Sequence, residues 1–212
     1  MATNTTVRRC LVANNACDGV KLWRDGGLIE NTLIYGRGDG NDEPTYWSAV
    51  VIDSETPGSS FSLVNVTVDD ALGYNYILHA LYDHPEVEAN LTIRNCIFRG
   101  MGPSSGLFAS GATQLTMDHN LFYLPSSDYV LEHGEGASYG SGGLGQLGAN
   151  NLYADPLFIR PAWGEEGDYH LRASSPAIDS GSSQDAPLTD LEGHPRDLAP
   201  DLGAYEYVPG GE

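Results

Sequence analysis

Basic residues are scarce in this 212-residue chain. Ten Lys and Arg stand against 29 Asp and Glu, and Lys21 is the sole lysine. A formal net charge of −19 repels phosphate backbones and anionic headgroups, so it argues against nucleic acid and an anionic membrane surface as partners. It favours cations and solubility. Acidic excess with little lysine fits a salt-rich habitat, and a GC-rich genome equally well. Cysteine is also rare. Cys10, Cys17 and Cys96 do not make a disulfide framework. No apolar run approaches transmembrane length, so no membrane insertion is expected. No window sustains a 3.6-residue apolar period, which disfavours a helical fold. The opening Met1–Thr6 is polar and carries no export leader.

Turn residues, by contrast, are plentiful, with 26 Gly and 12 Pro, and a short phrase recurs five times between them. It holds an alternating apolar pair, a polar residue and a second pair: Val7–Val12, Ile29–Ile34, Leu63–Val68, Ile93–Phe98 and Met117–Phe122. The central polar residues are Arg9, Asn31, Asn65, Asn95 and His119. Repeats at such spacing predict a stack in which each unit touches its neighbours. A further short apolar run follows each phrase, giving a bent strand pair, a turn, a strand and a variable loop. That is one coil of a right-handed parallel β-helix, and the expected fold class is all-β. Residues 1–133 are expected to form the coils, 134–150 a mobile Gly-rich loop, and 151–212 a last coil with a C-terminal cap.

A sharp corner between two strands needs a residue that tolerates left-handed dihedrals, and Asn does so with little strain. The corner is therefore placed at Asn31, Asn65 and Asn95, with Arg9 and His119 in the same slot. Alternation points Val7, Ile29, Leu63, Ile93 and Met117 inward, with Val12, Ile34, Val68, Phe98 and Phe122 as a second inward row. Cys10 and Cys96 fall three coils apart, or roughly 14 Å, too far for a disulfide. Arg8 faces Glu30 and Arg94 faces Asp118 across adjacent outward positions. On the following strand the outward row reads Lys21, Val51, Leu78, Phe108 and Leu131. If exposed, that apolar stripe is a surface for self-association. The same register turns His79 and Glu132 inward, which is costly without partners.

The last quarter has its own sequence signature. It contains Ala154-Asp155-Pro156-Leu157-Phe158, Asp168-Tyr169-His170-Leu171 and Ser174-Ser175-Pro176-Ala177-Ile178-Asp179-Ser180-Gly181, then Thr189–Arg196 and Asp201–Tyr207. In that order these segments resemble the C-terminal part of bacterial right-handed β-helix proteins of the choice-of-anchor Q type, over roughly residues 150–207. The resemblance implies an exported, extracellular or cell-surface bacterial protein from polysaccharide-rich settings. The chain lacks the export signal, the N-terminal coils and the sorting tail of such proteins, so a piece of a longer protein is expected. Physically, the tail is expected to cover the open end of the stack, with Gly203–Tyr207 as a closing strand.

Two functions follow as expectations. The first is a non-catalytic module that binds polysaccharide through exposed aromatics, with Tyr46, Trp47, Trp23 and Tyr82 as candidates and Tyr74 and Tyr76 beside them, since a flat apolar face with a polar rim suits a sugar ring. The second is a polysaccharide lyase or glycoside hydrolase acting on an acidic polysaccharide, its groove along Arg94 and Asp118 and bordered by His84. Other candidate groups are Asp53, His79, Asp83, Tyr123, Glu132 and His133. Ice binding would need regular outward Thr rows, and Thr6, Leu28, Ser62, Thr92 and Thr116 give only an imperfect one. No cofactor is expected. The acidic turns at Asp39–Glu43 and Asp69–Asp70 make Ca²⁺ possible, but neither supplies the six or more oxygens of a required site. A chelator should therefore leave the melting temperature unchanged, and a large drop in thermal melts would show a structural Ca²⁺.

Overall fold

The computed structural model describes residues 4–15, 18–36, 48–70, 76–101, 106–134, 136–162 and 166–210. Each phrase forms two short strands or one bent strand, and each following run forms another. The first repeat holds β1 (Thr5–Arg8), β2 (Leu11–Ala13) and β3 (Val20–Trp23). In the second and third, the bent pair is continuous, giving β4 (Gly26–Tyr35) with β5 (Val50–Asp53), then β6 (Ser59–Asp69) with β7 (Leu78–Ala80). The fourth holds β8 (Ala89–Arg94), β9 (Ile97–Arg99) and β10 (Leu107–Ala109). The fifth holds β11 (Thr113–Asp118), β12 (Leu121–Tyr123) and β13 (Leu131–His133). Equivalent strands of adjacent repeats pair in parallel and in matching register. The bent strands form one sheet, and β3, β5, β7, β10 and β13 form a second. The architecture is thus all-β and built of stacked parallel strands.

The bend sits at the polar slot. Arg9, Asn31, Asn65, Asn95 and His119 have φ of 52°, 44°, 51°, 55° and 53°, all left-handed. Asn95 Nδ2 donates to Asn65 Oδ1 at 3.2 Å, so the two side chains stack on one corner as expected. The corner continues to Asn150 (φ 57°), whose side chain meets His119 Nε2 at 2.9 Å. Beyond it, β15 (Leu152–Tyr153) adds to β12. Both expected inward rows line the main core, Val7 and Val12 at its half-buried edge. Cys96 is buried there, and burial pushes its thiol up to about 12; Cys10 is half-buried, and both are free thiols. Cys17 lies outside the described residues.

The outward row of the second sheet differs from expectation. Val50, Leu78, Leu107 and Leu131 share one register row, and Lys21, Val51, His79, Phe108 and Glu132 share the next. Leu78 and Leu131 are inward and buried, and Val51 is covered. Because strand side chains alternate with period two, a one-residue offset in the third and fifth repeats exchanges the two faces. The apolar stripe for self-association therefore does not exist on this surface. His79 and Glu132 point outward without any bulge.

Two further segments differ from expectation. The Gly-rich stretch carries β14 (Ala137–Tyr139), antiparallel to β13, and one helical turn, α1 (Leu144–Leu147). Leu144 is buried in the main core and Leu147 packs against it, so this segment covers the end of the stack. The tail lies along the flank instead. Its strands are β16 (Phe158–Arg160) and β17 (Asp168–Leu171), an antiparallel pair, while Gly203–Tyr207 is irregular rather than a strand. The reason is the outward row Leu33, Thr67, Ile97 and Leu121, which is apolar beyond the corner. Phe158, Tyr169, Leu171, Leu202 and Ala204 bury it in a second core. Each such Leu or Ile contributes roughly 1.5–3 kcal/mol on burial.

The corner side chains guide the tail. Asn31 donates to Thr189 O and Asn65 to Asp201 O and Gly203 O. Asn95 donates to Ser182 O at 2.7 Å and accepts Ser182 N–H at 2.8 Å, and Arg9 donates to Leu191 O. Gly203 (φ 84°) sits where a Cβ would meet Thr67 Oγ1 at 2.4 Å and Ile97 Cδ1 at 2.8 Å, so no larger residue fits that approach. Asn95→Gly should remove only hydrogen bonds. Asn95→Ala adds left-handed strain and should be about 1–2 kcal/mol less stable than the glycine variant in urea unfolding. Equal loss in both would show that the corner dihedral imposes no constraint.

Candidate functional site

Of the groups expected along the Arg94 groove, Arg94 itself is closed off by its partners, while Asp118 stays partly accessible. Arg94 Nε and Nη2 make a bidentate pair with Asp118 at 2.7 and 2.8 Å, and its third nitrogen meets Asp185 of the tail. Arg94 is 6% exposed. The hydrogen bond to Asp118 holds the guanidinium more firmly protonated and keeps the Asp118 carboxyl below the usual range. His119 Nδ1 also lies 3.0 Å from Asp118. This arrangement binds the tail to the corner, and an always-charged Arg cannot act as a base there. His84 belongs to the loop beyond β7, beside the second sheet, so the structure does not bring it to Arg94 and Asp118.

Aromatic and titratable groups meet instead on the outer face of that second sheet. The register row Lys21, Val51, His79, Phe108, Glu132 supplies its axis, about 19 Å long at roughly 4.8 Å per strand. Trp23 pairs in register with Asp53 two residues further along, on the same face. Trp23 is 39% and Tyr82 59% exposed. Lys21 Nζ lies 4.6 Å from the Trp23 ring centroid. Tyr82 packs edge-on against Phe108 with centroids 5.5 Å apart and beside His79 at 5.9 Å. Tyr76 contacts Phe108 at 5.2 Å and donates its hydroxyl to Glu132. Burial, then that bond to Glu132, pushes the Tyr76 hydroxyl up.

Two imidazoles in this strip are held in different ways. His84 Nδ1 donates to Asp53 Oδ1 at 2.9 Å, and its Nε2 lies 3.8 Å from Glu55. The edge of its ring faces Trp23 at 6.3 Å. The Asp53 bond raises the His84 pKa above its ordinary value. Asp53 is 2% exposed, and its Oδ2 has no hydrogen-bond partner among the described residues. His79 Nδ1 hydrogen-bonds Ser48 Oγ at 3.1 Å, and burial lowers its pKa.

Of the expected sugar contacts, Trp23 and Tyr82 are therefore on the strip, and Tyr46 and Trp47 lie outside the described residues. His133 turns from it to donate to Thr113 O, and Tyr123 lies on the first sheet. Tyr76, another of the expected aromatics, lies on the strip too, and Tyr74 is outside the described residues. Phe108 and Ser48 are not among the expected site residues; Phe108 becomes recognisable once the strand register is corrected, because it then lies between outward His79 and Glu132.

A concave place of about 320 Å³ lies in the tail beside His170, Glu192, His194 and Glu206. Its polar groups are bonded to one another: His170 Nδ1 to Asp168 at 2.7 Å, His170 Nε2 to Glu192 at 3.2 Å, His194 Nδ1 to Asp190 at 3.2 Å. They join β17 to the 190–194 turn. Among the described residues, no three His, Cys, Asp or Glu side chains converge as a metal site, and no helix is long and apolar enough to cross a membrane. No protein-family model matches the chain, and no curated protein matches its sequence.

The two strip histidines should titrate on opposite sides of the ordinary imidazole value in an NMR pH series, His79 below and His84 above. Because the folded His84 pKa is raised, its contribution to stability is full below the unfolded value and is lost as pH rises through the folded one. Asp53→Asn should bring the His84 midpoint down and flatten that pH dependence. An unmoved midpoint would show that Asp53 does not hold the imidazole.

Proposed function

We propose that this chain is a right-handed parallel β-helix module of an exported or cell-surface bacterial protein, and that the outer strip of its second sheet binds polysaccharide without catalysis. Stacked parallel repeats with a common corner support the solenoid reading. Right-handedness follows from the strong general preference for right-handed crossovers between parallel strands. The tail motifs from Ala154 to Tyr207 support kinship with the choice-of-anchor Q type.

The observation that carries the binding reading is the pair of accessible aromatic rings, Trp23 of the first repeat and Tyr82 beyond the third, with polar groups along the same face. Rings spaced along a rigid sheet present apolar faces to successive sugars while His and carboxylate groups take the hydroxyls. The lyase or hydrolase alternative keeps one supporting observation, the Asp53–His84 pair, in which a carboxylate orients an imidazole whose second nitrogen is free to exchange a proton.

Affinity electrophoresis against neutral, acidic and basic polysaccharides should show retardation by at least one class. Tyr82→Ala should weaken that binding about five- to tenfold, the worth of one ring contact, while its lost packing on Phe108 costs no more than about 1.5 kcal/mol of stability and leaves the fold intact. Absence of any retardation would defeat the reading. Release of new reducing or unsaturated ends, abolished by His84→Ala with binding kept, would replace it by the catalytic one.

A further inference from the structure

The charge around the strip narrows the polymer that it can take. Asp53, Glu55, Asp83 and Glu132 lie on or beside it, and Glu55 is 73% exposed on its side chain. Asp18 and Asp83 are near enough to raise the pKa of His79 against the effect of its burial. Lys21 and Arg24, both in the first repeat, are the fixed cations among the described residues there. A uronate polymer would bring its carboxylates against this excess of like charge. The Asp53 carboxylate is buried beneath His84 with one oxygen unpartnered among the described residues, an acceptor at the edge of the strip. The chain also shows what the Trp23 ring prefers, because its only lysine places an ammonium over that face.

We propose that the strip selects a polysaccharide bearing free ammonium groups, a glucosamine-type polymer with some or all of its amines unacetylated. This deepens the polysaccharide-binding reading and rests on it. Sugar rings stack on Trp23 and Tyr82, while ammonium groups face the carboxylates and the aromatic faces. Lys21 occupies the place of one such group in the free protein. N-Acetylation removes the charge and with it both attractions. Acidic polymers are rejected by repulsion rather than by shape.

Calorimetric titration can compare glucosamine hexamers, N-acetylglucosamine hexamers of equal length and oligogalacturonate, at a pH where the amines are protonated. The unacetylated hexamer should bind about tenfold more tightly than the acetylated one, and added salt should erase that margin. Lys21→Met should strengthen binding of the unacetylated hexamer about threefold by freeing the Trp23 face. Trp23→Ala should weaken it while leaving polylysine, which reads only the overall charge, unaffected. Equal affinity for the two hexamers, with both lost in Tyr82→Ala, would overturn the amine preference and leave the sugar-binding strip standing. Tighter binding of oligogalacturonate would overturn it as well. Equal weakening of polylysine and hexamer by Trp23→Ala would reduce the effect to general charge and overturn it too. If no polymer of any charge binds, the polysaccharide reading falls and this one with it.

Discussion

The corner at the polar slot of each repeat is the constraint on which the rest of the structure depends. A left-handed dihedral there turns the chain sharply between two strands, and repeating it in register lets both legs of every bend pair with those of the next. Asparagine does more at this position than tolerate the dihedral. Its short amide reaches a neighbouring corner on one side and the tail backbone on the other, as Asn95 does with Asn65 and Ser182. One residue type thus sets the bend, ties successive repeats together and marks the path of a segment that follows almost a hundred residues later.

The tail is held by two unequal forces. Burial of Leu33, Ile97 and Leu121 under Phe158, Leu171 and Leu202 supplies several kcal/mol. Ion pairs such as Arg94–Asp185, whose carboxylate is 61% exposed, contribute at most about 1 kcal/mol. The polar contacts therefore choose where the tail lies, and the apolar row decides that it stays. Asp190 is a local exception. Burial alone would raise its carboxyl, yet the backbone N–H groups of Glu206, His194 and Gly193 hold it below the ordinary range.

The repeat phrase, its inward rows and its left-handed slot were legible because each is a local property that recurs. Val7, Ile29, Leu63, Ile93 and Met117 meet in one row for no reason beyond alternation and equal spacing from the corner. The second strand was less legible, since nothing as distinctive as the corner precedes it. Its phase had to be judged from short runs in which Leu78 and His79, or Leu131 and Glu132, offered two readings one residue apart. The cost of burying His79 and Glu132 was the signal that the chosen phase was wrong. Trp23, Tyr82 and His84 could be picked out individually, but their grouping and their separation from Arg94 depend on long-range stacking. The roles of the Gly-rich segment and the tail were likewise hidden. Which of two irregular segments covers an end and which a flank is decided by the outward apolar row, not by their own composition.

The path of the tail has a consequence for the order of events in folding. Its contacts reach back 87 residues at Asn95, 136 at Asn65, 158 at Asn31 and 182 at Arg9, so a segment far downstream completes these repeats. Pairings so distant along the chain form slowly, since a long loop must close before any contact rewards it. The repeats can stack before the tail docks, and their flank of Leu33, Ile97 and Leu121 stays bare until it does. A chain whose tail has not docked is therefore a set of stacked repeats with one adhesive side, a species for chaperones to shield and proteases to clear.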